Sequence, residues 1–392
     1  MRELGQDASL NDTIVINTCA VTAEAERQAR QAIRRAARDY PQSKIIVTGC
    51  AAQLNPRAFA GMKEVDRVLG NEEKLGTALL SQSGPLVQVK NIMSVKKIAP
   101  HLIKGIEGRT RAFVQIQQGC DYRCTYCIIP FARGPNRSVS AKAVISQIRS
   151  LIESGHNEIV LTGVDICSYS SDDASNLGSL VRRVLLELPD LERLRLSSLD
   201  PAAIDENLLK LLGEETRLMP HLHLSLQSMD DMVLKRMKRR HTRAGAIAIV
   251  ARIRAVRPDA VFGADLIAGF PTETETMFEN TVTAIRDLEL TYLHVFPFSP
   301  RPGTPAAKMP LVKSSVVKAR AAQLRAIGKI GLNRFLASRA GVIEQVLVEK
   351  DQQGLSQHFA LVKLDFDVEP GEIVKARVTA IGDGFLKASR AV

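Results

Sequence analysis

Three cysteines fall within eight residues, Cys120, Cys124 and Cys127, in the spacing C-x3-C-x2-C. No other feature restricts the possible fold as much. Thiols this close share one short loop, and the fold must hold that loop where a ligand can reach it. Three thiolates can take three irons of a cubane [4Fe–4S] cluster, whereas a closed cluster uses four. The fourth iron is then open to chelation by a small molecule. Zinc and disulfides compete with this reading of clustered cysteines. Zinc usually takes four ligands, commonly as two separated pairs. No histidine or further cysteine lies near this loop in sequence.

The surrounding pattern alternates strand and helix. Near the start, Thr13–Asn17 and Lys44–Thr48 read as strands, Val65–Leu69 as another, and residues 23–38 as an alanine- and arginine-rich helix. Strand, helix, strand implies parallel strands with a right-handed crossover. Cys19 follows the first strand and Cys50 the second, so both belong at one carboxyl edge, where open α/β folds bind ligands. They could share a second cluster or be a pair of buried thiols. Residues 80–108 read as a connector with weak periodicity.

Six further strands follow at Ala112–Gln117, Glu158–Leu161, Arg193–Leu196, His221–Leu224, Val261–Leu266 and Tyr292–Phe296. Helices such as Ala141–Ile152 and Thr274–Leu288 separate them. Six units fall short of the eight of a full barrel, which predicts an open, partial (β/α)6 barrel with chemistry at the carboxyl ends of its strands. The three-cysteine loop leaves the first of them at that end. A long basic helix over 313–339 precedes short runs at Glu344–Val348, Ala360–Val362, Ile373–Val378 and Phe385–Ser389. These predict a small antiparallel barrel, a shape that often binds oligonucleotides but also serves dimerisation or capping.

At 392 residues the chain suits two or three domains. No run of about eighteen apolar residues is present, so no membrane span is expected. The first residues carry no apolar export signal. Six cysteines in such a length suit a reducing cytoplasm rather than a secreted disulfide framework. The formal net charge of +11 fits an anionic partner such as RNA.

Several stretches together resemble the methylthiotransferases of the radical SAM group. They are Val15–Thr22, Val47–Gln53, the loop from Cys120 through Ile128–Gly134, Arg195–Pro201, His221–Ser228, Gly263–Glu273 and Phe296–Pro305. The resemblance implies an α/β chain in three parts. An N-terminal α/β open-sheet domain would occupy 1–92, a radical SAM partial barrel 106–335, and a TRAM-like, RNA-binding β-barrel 336–392. It implies two 4Fe-4S clusters and S-adenosyl-L-methionine as cofactors. By that likeness Cys120, Cys124 and Cys127 ligate the cluster that cleaves S-adenosylmethionine. Cys19 and Cys50 would ligate the auxiliary cluster, implicated in supplying sulfur. Tyr126 fits the pattern of the loop, and Ser198, Gln227 and Asp265, polar residues at strand ends, are candidate contacts to S-adenosylmethionine. No residue is expected to act as an acid or base.

The stretches Asn17–Arg35 and Ala132–Ser138 are similar to the branch acting on N6-threonylcarbamoyladenosine beside the tRNA anticodon. That implies addition of a methylthio group to C2 of this base. The expected partners are a tRNA anticodon stem-loop and a flavodoxin-type electron donor. The family's first domain normally carries three cysteines, the first of them well before Cys19. None of the eighteen residues before Cys19 is cysteine. The expectation is therefore a front end lacking its first strand and first cysteine. Modification of a ribosomal-protein side chain, or an RNA-binding relic with an incomplete auxiliary site, are the alternatives.

Other residues have plainer expectations. Cys167 reads as a packed thiol, and Asp165 as a strand-end carboxylate with a capping or cofactor role. His221 and His223 alternate onto one strand face, in a pocket or core role, because nothing near them in sequence supplies a further metal ligand. The basic run Lys235–His241 reads either as a solvated helix face or as an RNA phosphate contact.

Overall fold

The structure, a computed structural model, describes residues 12–75, 84–96 and 110–391. The rest of the connector and the first eleven residues lie outside the described residues. The chain divides into two compact units.

The first unit comprises residues 1–99, 118–137 and 299–309. Its sheet is parallel, in the order β1 (Thr13–Thr18), β2 (Lys44–Gly49), β3 (Arg67–Leu69) and β4 (Val87–Gln88). β4 lies where the sequence reads as a connector. The helix Ala23–Asp39 crosses between the first two strands. Thr22 caps it by accepting from Ala25 N, and Glu24 and Glu26 favour its amino end. Ile33, Ile45, Val47, Val68 and Phe59 form the core beneath it.

The second unit comprises residues 100–117, 138–298 and 310–392. Six parallel strands run in chain order through it. β5 (Arg111–Gln115) pairs with β8 (Glu158–Thr162), and β8 with β9 (Arg193–Leu196). β10 (His221–Gln227), β11 (Val261–Ala268) and β12 (Tyr292–Pro297) form the second trio. Backbone bonds between Leu199 and the strand β10 join the two sets. Short strands β6 (Gln117–Gln118) and β7 (Arg137–Ser138) lie between β5 and the first helix, Ala141–Glu153. One sheet face carries Leu222, Leu224, Phe262, Ala264 and Leu266, all buried in the main core under the helices. The opposite face is polar and partly open.

The carboxyl-terminal segment closes into a barrel in the order β13 (Ile343–Lys350), β14 (Gln353–Ser356), β15 (Leu361–Leu364), β17 (Leu386–Arg390) and β16 (Ile373–Ile381). Within the second unit this barrel packs against the amino-terminal edge of the six strands. Arg193 donates to Leu355 O and Gln345 O, and Arg195 to Ser356 O and Gln357 O. Tyr292 Oη donates to His358 O. Both arginines meet the fully buried Glu158, Arg195 at 2.7 Å and Arg193 at 3.5 Å. His221 stacks on Phe359 with ring centres 4.8 Å apart. The amino ends are thus covered, which leaves the carboxyl ends of the strands for a site. The second unit is a mixed α/β array of six parallel strands with a small closed barrel.

Candidate functional site

The three-cysteine loop begins at Gly119, whose φ of +75° favours glycine; a Cβ there would lie 1.8 Å from Pro135 O. Cys120 N donates to Gly134 O at 3.1 Å, and Cys127 N to Cys124 O at 3.0 Å. Arg123 donates to Cys120 O, and Asp121 accepts from Asn136 N. Behind the loop, buried Thr125 accepts from Ala306 N through its carbonyl. The backbone is therefore pinned from several sides, while Cys120, Cys124 and Cys127 are each partly exposed and Tyr126 half-buried. Among the described residues no disulfide joins any cysteine. Three accessible thiols on one fixed loop are a donor set that fits three corners of a cubane cluster.

Cys19 and Cys50 lie in the same unit. The parallel register pairs Thr18 with Gly49, so the next residue on each strand emerges at the same edge. Thr18 Oγ1 ties that edge together, donating to Thr48 O and accepting from Ala52 N. Cys19 is exposed and Cys50 buried. The loop returns as the helix Ile129–Arg133, which packs Ala132 into the core beside Cys50 and Ala51. Arg133 Nε donates to Cys50 Sγ at 3.0 Å. Lys74, also buried, donates to Asn71, which in turn donates to Ala132 O. Burial, with Arg133 adding to it, pulls the Lys74 pKa down to about 8. The pair offers two thiols with cations close by; a cluster held by three thiolates is not completed by Cys19 and Cys50 alone.

In the second unit, the polar face of the six strands gathers Ser198, Ser225, His223, Asp265 and His294. Asp265 Oδ1 accepts from His223 Nε2 at 3.0 Å and from His294 Nδ1 at 3.3 Å. Ser198 Oγ donates to Asp265 Oδ2 at 3.1 Å and lies 2.6 Å from Ser225 Oγ. Burial alone would raise the Asp265 pKa, but the two imidazole contacts overcome it and hold the carboxylate well below the usual range. The same contact raises the His294 pKa. The structure thus brings Ser198 and Asp265 together, as residues of one network. Gln227 ends β10 with φ of +64°, a left-handed conformation costly for a residue with a side chain.

Nothing near His223 in sequence predicts its partners, yet the fold brings Asp265 and His294 to it. Polar side-chain atoms of His223, Asp265 and His294 lie within 4.8 Å of one another, joined by hydrogen bonds through Asp265. The signal for this was strand register, which sets Asp265 opposite His294. Cys167 accepts from Asp200 N and packs against the main core; burial pushes its thiol pKa up. The basic run is divided: Lys235, Lys238 and Arg240 are exposed, while others turn to the fold. Arg239 donates to Ser225 O, Arg239 and Arg240 pair with Asp200, and His241 is buried. Among the described residues no helix is long and apolar enough to cross a membrane.

The radical SAM superfamily matches residues 114–285, and the Uncharacterized protein family UPF0004 matches residues 2–70. The chain is 48% identical over 382 residues to the threonylcarbamoyladenosine tRNA methylthiotransferase MtaB of Rickettsia prowazekii, covering 97% of this chain and 91% of that protein. It is 35% identical to the protein of the same name from Aquifex aeolicus, over 94% of this chain and 91% of that one. It is 34% identical to a tRNA-2-methylthio-N(6)-dimethylallyladenosine synthase of Erythrobacter litoralis, over 97% and 89%. Among solved structures, the radical S-adenosylmethionine methyltransferase TsrM of Kitasatospora setae shares the fold at a TM-score of 0.56 and 16% identity, over 78% of this chain and 66% of that one.

Proposed function

The chain belongs to the radical SAM methylthiotransferases that act on tRNA, and from that premise we propose that it adds a methylthio group to C2 of N6-threonylcarbamoyladenosine beside the anticodon. The family uses 4Fe-4S clusters and S-adenosylmethionine. What carries the reading is the pinned loop with three partly exposed thiols. Cys120, Cys124 and Cys127 would hold a 4Fe-4S cluster there, and the chemistry it would supply is reductive cleavage of S-adenosylmethionine, suited to an inert aromatic C–H bond.

The roles of this chain's residues follow in the same reading. Cys120, Cys124 and Cys127 hold the cluster, and Cys19 and Cys50 contribute to a second, sulfur-supplying one. Tyr126, Ser198, Gln227 and Asp265 contact S-adenosylmethionine. The closed carboxyl-terminal barrel and the net charge of +11 suit a tRNA anticodon stem-loop. A flavodoxin-type donor supplies electrons, in the cytoplasm. The test is mass spectrometry of tRNA nucleosides from a strain lacking the gene. Loss of the methylthiolated threonylcarbamoyladenosine, restored by the gene, is expected; persistence of that nucleoside at its normal level overturns the proposal.

A further inference from the structure

The relatives divide between two kinds of N6 substituent. One name specifies threonylcarbamoyl, which carries a carboxylate and a hydroxyl; the other specifies dimethylallyl, which is wholly apolar. A site that accepts the first needs a fixed donor for an anion, and a donor left unpartnered disfavours the second.

The polar sheet face contains such a donor. On β12 the residues Tyr292, His294 and Phe296 alternate onto one side. Tyr292 is occupied by the closed barrel, through its hydrogen bond to His358 O. The His294 side chain is 63% exposed, and Phe296 next along that side is 39% exposed. His294 is nevertheless fixed. Its Nδ1 is held by Asp265 Oδ1, and its ring lies against that of His223, centroids 4.4 Å apart. His223 is fixed in turn by Asp265 and by close approach to β11, where a Cβ on Gly263 would lie 2.4 Å from its Nδ1. Asp265 Oδ1 is taken up by the two imidazoles, while Oδ2 accepts from Ser198 and keeps acceptor capacity for S-adenosylmethionine. Through Oδ1 the carboxylate holds His294. Hydrogen bonding to Asp265 favours the imidazolium of His294. With Nδ1 committed, Nε2 on the far side of the ring remains to donate.

We propose that His294, held by Asp265 and His223, is the specificity residue that binds the carboxylate of the threonylcarbamoyl group. The inference rests on the proposed substrate and adds the residue that recognises it. A charge-assisted hydrogen bond from an imidazolium discriminates an acid from its neutral methyl ester, which is one methyl group larger and lacks the charge.

The experiment measures binding of three fluorescent anticodon stem-loops to the cluster-loaded protein by anisotropy at fixed salt. They carry threonylcarbamoyladenosine, its methyl ester, and unmodified adenosine. Wild type should bind the acid about 10-fold more tightly than the ester, and His294→Ala should bring that ratio to about one. His294→Lys, which keeps a cation, should restore part of it. If wild type prefers the acid and His294→Ala keeps the full preference, the assignment of His294 is wrong while the substrate stands. If wild type does not distinguish threonylcarbamoyladenosine from adenosine, the substrate reading fails and takes this inference with it. If His294→Ala instead weakens S-adenosylmethionine in equilibrium dialysis and leaves the ratio intact, His294 serves that cofactor and the proposal is overturned.

Discussion

Arg133 and Cys50 are joined by a hydrogen bond, Nε to Sγ at 3.0 Å, across 83 residues of sequence. Arg133 comes from the helix that continues the three-cysteine loop, so the bond ties that loop to the thiol of the α/β sheet. In anaerobically reconstituted protein carrying Cys120→Ala, Cys124→Ala and Cys127→Ala together, any iron retained reports on Cys19 and Cys50. Adding Arg133→Ala should speed loss of that iron to a chelator by about 10-fold, the worth of one hydrogen bond to a charged group. Protein lacking all three loop thiols that retains no iron would exclude the pair as a cluster site.

Cys124 lies mid-trio, with its carbonyl accepting from Cys127 N. Cys124→Ala should abolish 5′-deoxyadenosine formation from S-adenosylmethionine under reducing conditions, and should remove about four irons per chain. Chromatographic assay of deoxyadenosine with iron determination checks both. Retained cleavage would show that Cys124 is not a ligand.

Much of this was legible from residue patterns. The six β/α strands begin within a residue of their expected starts, because buried parallel strands are short β-branched and leucine-rich runs between capped helices. Ser140 and Thr274 mark two of those helices by accepting from Ala143 N and Met277 N. β14 was not legible. Its run Gln353-Gly354-Leu355-Ser356 lacks apolar alternation, and Gly354 is there because a Cβ would lie 2.1 Å from Leu347 O across the tight barrel. Nor was the meeting of His223, Asp265 and His294, which lie on three strands and converge only through pairing register.

Glu158 is fully buried and meets Arg195 at 2.7 Å, Arg193 at 3.5 Å and Arg111 at 4.0 Å. The same arginines, Arg193 and Arg195, hold carbonyls of the closed barrel. Removing the carboxylate strands buried guanidinium charge. Glu158→Ala should therefore cost about 3–5 kcal/mol in urea unfolding. Replacing Glu158, Arg193 and Arg195 together by apolar residues should recover part of the core stability, though it sacrifices the hydrogen bonds to β13 and β14. A loss below about 1 kcal/mol for Glu158→Ala, within the range of an exposed pair, would show that the ion cluster is not structural.

His241 ends the basic run and is 5% exposed. Burial, with Arg239 nearby, pushes its pKa down from 6.5 to about 4. His221 is likewise held well below its ordinary value by burial and by Arg195. Both rings are neutral in the fold at neutral pH. Between pH 6.5 and about 4 the unfolded chain binds protons that the fold does not, so stability rises with pH across that window. This contribution is complete above pH 6.5 and is lost as pH falls through about 4. For His241 alone the shift corresponds to about 3 kcal/mol. His241→Phe, which has no proton to gain, should flatten that limb of the unfolding free energy while His221 maintains a residual slope. Urea midpoints measured at intervals from pH 7 to pH 4 check it. A variant whose acid limb parallels that of wild type would mean that His241 is already protonated in the fold.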